Sequence, residues 1–173
     1  WYLAQICKSN NIQTKLTGTL GFYKNNKKIK DSSLTTPSNL ELYQFANSNK
    51  KNYDFFISEA SSHGLHQGRY NNLKIDIAAI TNLSHDHLDY HKTFKSYVES
   101  KMLLFTKVLD ENGTAVINSR LKNYKYFVSK IKSRNLKIIT FGSKDVYFEQ
   151  KKFLTLNLLG KKYYIRDLKL NNI

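Results

Sequence analysis

The chain has 173 residues, of which 40% are hydrophobic and 24% are charged, and these fractions fit one globular domain with a single core. The richest apolar segment, 75–83, is interrupted by Asp76 and Asn82 and falls well short of the roughly 20 apolar residues of a membrane-spanning helix. A single cysteine, Cys7, excludes an internal disulfide and a zinc site built on cysteine pairs. It fits a reducing compartment, so we expect a cytoplasmic protein without a membrane span.

The chain is strongly basic, with 28 lysines and arginines against 13 acidic residues and a formal net charge of +15. Such a charge is typical of proteins that bind nucleic acids or anionic membranes, but binding of this kind needs basic residues on one face. Here the lysines are scattered or fall in short turn-like clusters such as 25–30 and 50–52, and the heavy use of Lys, Asn, Ile and Tyr is typical of AT-rich coding. We therefore expect no nucleic-acid or membrane partner.

The pattern of apolar residues predicts helices that alternate with strands. The chain opens within a helix, 1–8, and a hairpin over 14–28 follows. A hydroxyl residue before Pro37 predicts a helix over 37–48 with Thr36 as its N-cap, because proline at the first helical position has no N–H to leave unpaired. The later elements are predicted as strand 53–57, a short helix from 61, strand 75–81, helix 93–109, strand 114–117, helix 121–133 and strand 137–141.

This order of elements predicts the fold class. Strands that alternate with helices indicate an α/β fold of three layers, in which a mainly parallel sheet has helices on both faces. Two β-prone runs, 153–158 and 162–165, lie on either side of Leu159-Gly160 and predict a small antiparallel β-hairpin at the sheet edge. The best candidate for a domain boundary lies near 143–145.

Two predicted strands end in polar segments, where open parallel sheets carry their functional groups. The first segment, 58–63, places Glu59 where strand 53–57 ends and a helix begins. The second, 81–91, holds three histidines and two aspartates within its last seven residues, among them His85 and His87. This spacing is compatible with a metal site, and equally with a polar, solvated loop.

A lysine interrupts the apolar face of the helix predicted over 93–109. Apolar residues at spacings of three and four define that face, and Lys101 lies on it. A buried cation is costly unless another group compensates it. Lys101 is therefore either a structural residue that reaches solvent or pairs with an acid, or it faces a pocket with Glu59 and His87, as a phosphate-binding cation or a chemically modified lysine.

Four segments together resemble the central domain of the Mur ligases, of the MurE type. They are LTTPSNLEL at 34–42, SEASSHGLHQGR at 58–69, TNLSHDHLDYH at 81–91 and SYVESKMLLF at 96–105, in the family's order and spacing. MurE enzymes are ATP-dependent UDP-N-acetylmuramoyl-dipeptide:amino-acid ligases of peptidoglycan synthesis. The resemblance implies part of an enzyme that adds meso-diaminopimelate or L-lysine to UDP-N-acetylmuramoyl-L-alanyl-D-glutamate.

The resemblance also implies roles for single residues. Members use ATP to phosphorylate the substrate carboxylate, the amino acid then attacks the acyl phosphate, and Mg²⁺ ions organise the phosphates. Glu59 and His87 would be metal ligands together with Lys101, which the family carries as a carbamate, and these three form the expected catalytic set. The residues expected to hold the UDP-muramoyl-peptide are Thr35, Thr36, Ser61, Gln67 and Arg69.

The chain also departs from the family's pattern. We expect residues 1–173 to be a truncated central domain without the P-loop and the N- and C-terminal domains, and therefore inactive alone. After strand 114–117 the family carries an Asn followed by paired aspartates, whereas Asn118 here is followed by Ser119, Arg120 and Leu121. The alternative is an inactive remnant, or a non-catalytic module that binds UDP-muramoyl-peptide.

Overall fold

The computed structural model describes residues 1–84, 86–143, 145–150 and 154–165. They form two compact units: unit 1 contains the described residues of 1–74 and 85–108, and unit 2 contains those of 75–84 and 109–173. The boundary predicted near 143–145 is wrong, because that segment lies inside unit 2. Local composition could not indicate the true division, since each unit is assembled from two separate segments of the chain.

A four-stranded sheet is the framework of unit 1. Its strands are β1 (Thr14–Gly18), β2 (Gly21–Lys24), β3 (Lys27–Lys30) and β4 (Phe55–Ser58), in the order β3-β2-β1-β4. The first three pair antiparallel, and β4 lies parallel to β1. The predicted hairpin therefore contains three strands rather than two. An additional turn at Thr19-Leu20 leads into Gly21, which has a φ of +105°, a conformation that glycine adopts without strain.

Five α-helices accompany this sheet in the described part of unit 1. Their bounds are α1 (Tyr2–Ser9), α2 (Asn39–Asn47), α3 (Ser62–His66), α4 (Leu88–His91) and α5 (Phe94–Leu103). A 3-10 turn at Lys50–Asn52 precedes β4, and α5 continues as a π-helical turn at Leu104–Val108. Leu42, Leu65 and Tyr70 form a buried cluster, with Phe56 and Leu104 packed against it. This cluster fixes α2 and α3 where β4 ends.

The start of α2 differs from the prediction. Ser38 is the N-cap, and its hydroxyl accepts a hydrogen bond from the backbone N–H of Glu41, so the helix begins at Asn39. Thr36 and Pro37 precede the helix and are fully buried. Thr36 does not cap the helix because its hydroxyl is bonded to the segment that follows β4.

Unit 2 is built on a six-stranded sheet. Its strands are β5 (Ile75–Ile80), β6 (Leu109–Asn118), β7 (Lys137–Phe141), β8 (Val146–Gln150), β9 (Leu154–Leu158) and β10 (Lys161–Ile165). They follow the order β10-β9-β8-β7-β6-β5, parallel from β5 to β8 and antiparallel from β8 to β10. Helix α6 (Tyr124–Lys132) buries Phe127 and Ile131 completely.

The α/β class and the antiparallel hairpin edge are confirmed, with the strands divided between two sheets. Strand β8 was not predicted, and Phe153, predicted to open the hairpin, lies outside the described residues. The helix predicted over 93–109 is confirmed apart from its ends: it is α-helical from Phe94 to Leu103 and π-helical from Leu104 to Val108, and Leu109 begins β6. None of the helices described is both long enough and apolar enough to cross a membrane.

Lys15 is a buried cation on β1, only 1% exposed. Its ammonium donates to the carbonyl oxygens of Phe45 (2.8 Å) and Ala46 (3.3 Å) and to that of Ser48. The Tyr53 ring centroid lies 4.9 Å away. Carbonyl groups at the end of a helix lack partners within the helix and carry the negative end of its dipole. Lys15 therefore caps the C-terminus of α2 from the neighbouring strand.

Replacement of this cation tests its structural role. Lys15→Met keeps the length of the side chain but leaves the buried carbonyls without a donor, so we expect the free energy of unfolding to fall by about 2 kcal/mol. Urea denaturation of the purified chain measures the change. Lys27→Met, at an exposed position on β3, is the control and should stay within about 0.5 kcal/mol of the parent. Equal stability of the two variants would contradict the cap.

Candidate functional site

The candidate site begins where β4 ends, at Glu59. Its backbone N–H donates to the carbonyl oxygen of Thr17 (2.9 Å), which extends the pairing of β4 with β1. Its carboxylate oxygen Oε2 accepts from the backbone N–H of Thr19 (3.0 Å) and from the Thr19 hydroxyl (3.1 Å). A Cβ at Gly18 would lie 2.7 Å from that oxygen, so glycine is needed for the carboxylate to approach β1. Glu59 is exposed and held in place.

Thr36 supports the turn between β4 and α3. Its hydroxyl donates to the carbonyl oxygen of Glu59 (2.9 Å) and accepts from the backbone N–H of Ser61 (2.9 Å). Gly64 lies against it, since a Cβ there would approach the Thr36 methyl to 2.7 Å. The Thr36 hydroxyl is buried and bonded to the protein on both sides, and the contact of Thr36 with substrate stays a prediction.

The other predicted substrate residues join the same network. The Arg69 guanidinium donates through Nη1 to the Thr36 carbonyl oxygen (2.6 Å) and through Nε to Oε1 of Gln67 (3.0 Å). The Thr35 hydroxyl lies 3.0 Å from that of Thr19, which also bonds Glu59. Ser61 is the N-cap of α3, and its hydroxyl accepts from the Gly64 N–H (3.0 Å). The structure therefore brings all five residues together around Glu59.

Lys101 lies on a partly buried face of α5, as the helical spacing predicted. Its ammonium donates to the carbonyl oxygen of Ala60, next to Glu59, at 3.1 Å. Burial lowers the pKa of Lys101, and the nearby charge of Glu59 acts in the opposite direction. The lysine is therefore directed at the Glu59 segment.

His87 is placed differently from the other two members of the predicted catalytic set. It immediately precedes α4 with a φ of +58° and is exposed. Its ring centroid lies 4.9 Å from that of His63 on α3, and its Nε2 lies 3.8 Å from Oδ2 of Asp86. The structure thus places Lys101 against Ala60, the residue after Glu59, and places His87 beside α3.

The polar loop 81–91 does not form a metal site from its described side chains. Over the ranges that the structure describes, no group of three or more His, Cys, Asp or Glu side chains is arranged to hold a metal ion. His85, part of the histidine cluster in the sequence, lies outside the described residues. A ligand set that includes a modified lysine stays a prediction.

Two residues of the network were not predicted. Thr19 reaches Glu59 because β1 and β4 run parallel and end at the same edge, a pairing that no local pattern indicates. His91 is 5% exposed and contacts both α3 and α5. Burial lowers its pKa, and the charge of nearby His63 lowers it further. The position of His91 one helical turn after His87 was the available signal, but it did not distinguish a buried contact from a solvated loop.

Comparisons with known proteins agree on one family. The family model described as the Mur ligase middle domain matches residues 1–172. The UDP-N-acetylmuramoyl-L-alanyl-D-glutamate--2,6-diaminopimelate ligase of Rickettsia typhi is 35% identical over 177 residues, which cover 99% of this chain and 35% of that protein. The ligase of the same name from Clostridium botulinum is 36% identical, with 90% of this chain and 35% of the relative covered.

Solved structures of related proteins share the fold of this chain. A structure of a ligase with that name has a TM-score of 0.78 and 29% identity, covering 95% of this chain and 35% of the other. A mutant FPGS from L. casei aligns with a TM-score of 0.66 at 12% identity, and therefore shares the fold. That alignment covers 92% of this chain and 47% of the FPGS chain. The chain spans about a third of the length of the ligases that it matches.

The role of Thr36 can be tested by removing its hydroxyl. Thr36→Val keeps the shape of the side chain but leaves the Glu59 carbonyl and the Ser61 N–H without this partner, so we expect a loss of about 2 kcal/mol in the free energy of unfolding. Thermal and urea unfolding measure it. Thr106→Val is the matched control, because the Thr106 hydroxyl donates only to Met102 within its own helical segment. Similar losses in both variants would argue against a special role for Thr36.

Proposed function

The chain belongs to the Mur ligase middle-domain family, and on this premise we propose that it is part of an ATP-dependent ligase of peptidoglycan synthesis. The reaction adds an amino acid to UDP-N-acetylmuramoyl-L-alanyl-D-glutamate. The two relatives are named for 2,6-diaminopimelate, which favours diaminopimelate over L-lysine. Because the matching family model is that of the middle domain, we assign residues 1–173 to the central domain of these longer relatives. ATP and a UDP-linked substrate favour a cytoplasmic location.

One observation carries the proposal: the residues expected to hold substrate form a single hydrogen-bonded group around Glu59. The UDP-muramoyl-peptide is anionic through its pyrophosphate and its carboxylates. Arg69 suits such a ligand, because a guanidinium donates two parallel hydrogen bonds to carboxylate or phosphate oxygens. In this structure Nε and Nη2 of Arg69 both donate to the Gln67 amide oxygen. A substrate oxygen would bind at the position of that amide oxygen, while Nη1 stays on Thr36.

The donor set also fits Mg²⁺ if Lys101 is modified. Mg²⁺ prefers oxygen ligands, and the Glu59 carboxylate supplies one. An ammonium cannot bind a cation, whereas a carbamate can. The carbamate forms when the neutral Lys101 amine attacks the carbon of CO₂, which makes a new N–C bond and releases one proton. Burial favours the neutral amine, and the carbamate replaces a buried cation with an anion that can bind metal. His87 would be the third residue of the set, with an imidazole nitrogen as its ligand atom.

The residues of this chain would then divide the work between them. Bound ATP supplies the phosphoryl group that activates the substrate carboxylate, and Mg²⁺ organises its phosphates. Glu59, modified Lys101 and His87 would hold the metal. Arg69, Gln67, Ser61 and Thr35 bind and orient the UDP-muramoyl-peptide, and Thr36 keeps Arg69 and Glu59 in register.

The proposed reaction is tested with the native polypeptide isolated from its source cell. Supplied with ATP, Mg²⁺, UDP-N-acetylmuramoyl-L-alanyl-D-glutamate and diaminopimelate, it should form the tripeptide and release phosphate, with L-lysine as a poorer substrate. Lys101→Ala should lower kcat by about 100-fold or more, the scale for loss of a group that stabilises charge in the transition state. Lys107→Ala, at an exposed position nearby, is the control.

The outcomes separate the two functional classes. Tripeptide formation supports the ligase. Binding of the UDP-muramoyl-peptide without turnover would favour a non-catalytic binding module. The lack of both binding and turnover would contradict both and favour an inactive remnant.

Arg69→Lys tests substrate binding independently of catalysis. Lysine keeps the charge but cannot donate two parallel hydrogen bonds, so we expect the Kd for the UDP-muramoyl-peptide to rise roughly 10-fold. Isothermal titration calorimetry without ATP measures the change. Arg120→Lys, an exposed arginine of unit 2, should leave this Kd unchanged. An unchanged Kd for Arg69→Lys would remove Arg69 from the proposed site.

A further inference from the structure

His91 is a buried histidine that the proposed reaction does not use. It ends α4, is 5% exposed and has polar neighbours on two other helices. Its Nε2 lies 2.9 Å from the Ser62 hydroxyl, and its Nδ1 lies 3.4 Å from the Ser100 hydroxyl. Both serines are almost fully buried, with exposed fractions of 1% and 3%. The imidazole therefore joins α3 to α5 away from solvent.

The hydrogen bonds of Ser62 and Ser100 determine which nitrogen of the His91 imidazole carries the proton. The Ser100 hydroxyl donates to the carbonyl oxygen of Ser96 at 2.8 Å, so its hydrogen is already used. Ser100 Oγ must then accept from an N–H at Nδ1 of His91. Nε2 is left as the acceptor for the Ser62 hydroxyl, so one neutral tautomer satisfies every group. A side chain with only one polar end could not do this.

The two serines occupy informative positions. Ser62 is the first residue of α3 and follows Glu59 by three residues, and Ser100 directly precedes Lys101. His91 thus links the start of α3 to α5, and the hydrogen bond from Lys101 Nζ to the Ala60 carbonyl oxygen joins the same two segments. Breaking a buried hydrogen bond leaves unsatisfied groups that have no access to water. The link therefore restrains α5 relative to the end of β4.

We propose that His91 is a positioning residue, which holds α5 so that the Lys101 amine stands beside the Glu59 segment. The inference rests on the proposed function, because its consequence is measured on carbamylated Lys101. Through Ser100, His91 sets the position of the amine, and through Ser62 it sets the position of the acceptor. Its loss lowers carbamate occupancy at Lys101 and with it kcat, while affinity for the UDP-muramoyl-peptide is retained.

Tyr90 is the matched control, because it is the adjacent residue on the same helix and also contacts α3. Its hydroxyl lies 2.9 Å from Nδ1 of His66 and accepts from the Gln67 amide at 3.2 Å, at the far end of α3. These contacts lead toward Arg69 rather than α5. Tyr90→Phe should weaken substrate binding and leave the Lys101 carbamate intact.

The experiment measures carbamate directly, by ¹³C NMR of the native polypeptide in ¹³C-bicarbonate, with the Lys101→Ala variant identifying the signal. His91→Phe keeps a ring but removes both nitrogens, and should lower carbamate occupancy and kcat at least fivefold, about the effect of one buried hydrogen bond. The KM for UDP-muramoyl-peptide should stay within about twofold, since a purely positional effect on Lys101 does not touch uniform substrate binding.

Two further variants keep the test decisive if His91→Phe does not fold. Ser100→Ala removes the partner on α5 and should reproduce the loss of carbamate, and in the double variant with His91→Phe the two losses should not add. His91→Asn places an amide nitrogen near the position of Nδ1 and should restore part of the signal. Circular dichroism confirms that each variant is folded.

The possible results are distinct. Full carbamate occupancy in folded His91→Phe or Ser100→Ala would overturn the inference, as would an equal loss in Tyr90→Phe, which would indicate general destabilisation of α3. If the parent protein shows neither carbamate nor ligase activity, the proposed function fails, and the inference fails with it. Loss of carbamate in the His91 and Ser100 variants alone supports the positioning role.

Discussion

The parallel pairing of β1 with β4 is the constraint on which the candidate site depends. Its register places Leu16 opposite Ile57 and Thr17 opposite Ser58, so both strands end at one edge of the sheet. Thr19 then reaches the Glu59 carboxylate, and the next residue, Ala60, presents its carbonyl to Lys101. A shift of one residue in this register would turn each β4 side chain to the opposite face. The pairing of these two strands therefore fixes both the Glu59 carboxylate and the Ala60 carbonyl oxygen to which Lys101 donates.

Hydroxyl groups that are buried or partly buried stabilise the end of β4 beneath the site. The hydroxyls of Thr17 and Ser58 lie 2.9 Å apart, Ser58 lies 2.7 Å from the Tyr70 hydroxyl, and Tyr70 donates to the Glu59 carbonyl at 3.2 Å. Burial raises the pKa of Tyr70, so the phenol stays protonated and able to donate. Thr36 adds two bonds to the same turn. Satisfied networks of this kind are rigid, because each broken bond leaves a buried polar group unpaired.

The features that the sequence predicts correctly are those that local residue patterns determine. Alternating strands and helices predicted the α/β class, the end of an apolar run located Glu59, and helical spacing placed Lys101 on a partly buried face. Distant contacts decided the rest. Ser38 caps α2 because Thr36 is bonded to residues more than twenty positions away. His91 is held by hydrogen bonds to serines on two other helices, which no local pattern indicates.

The outermost strands have a consequence for handling the chain in solution. Within the described residues β4 pairs only with β1, and β5 pairs only with β6, so each is the outermost strand of its sheet. β4 is a short strand without a charged residue or proline, and its Phe55 is 50% exposed, whereas β5 carries Asp76 and its pairing with β6 is irregular between Ile75 and Ile77. Natural sheets usually protect such edges with charge, proline or a bulge. β5 has a charge and an irregularity of this kind, and β4 has neither. At high concentration β4 is therefore where one molecule would add a strand to the next, and self-association of the purified chain would report on this edge strand rather than on a dimer interface.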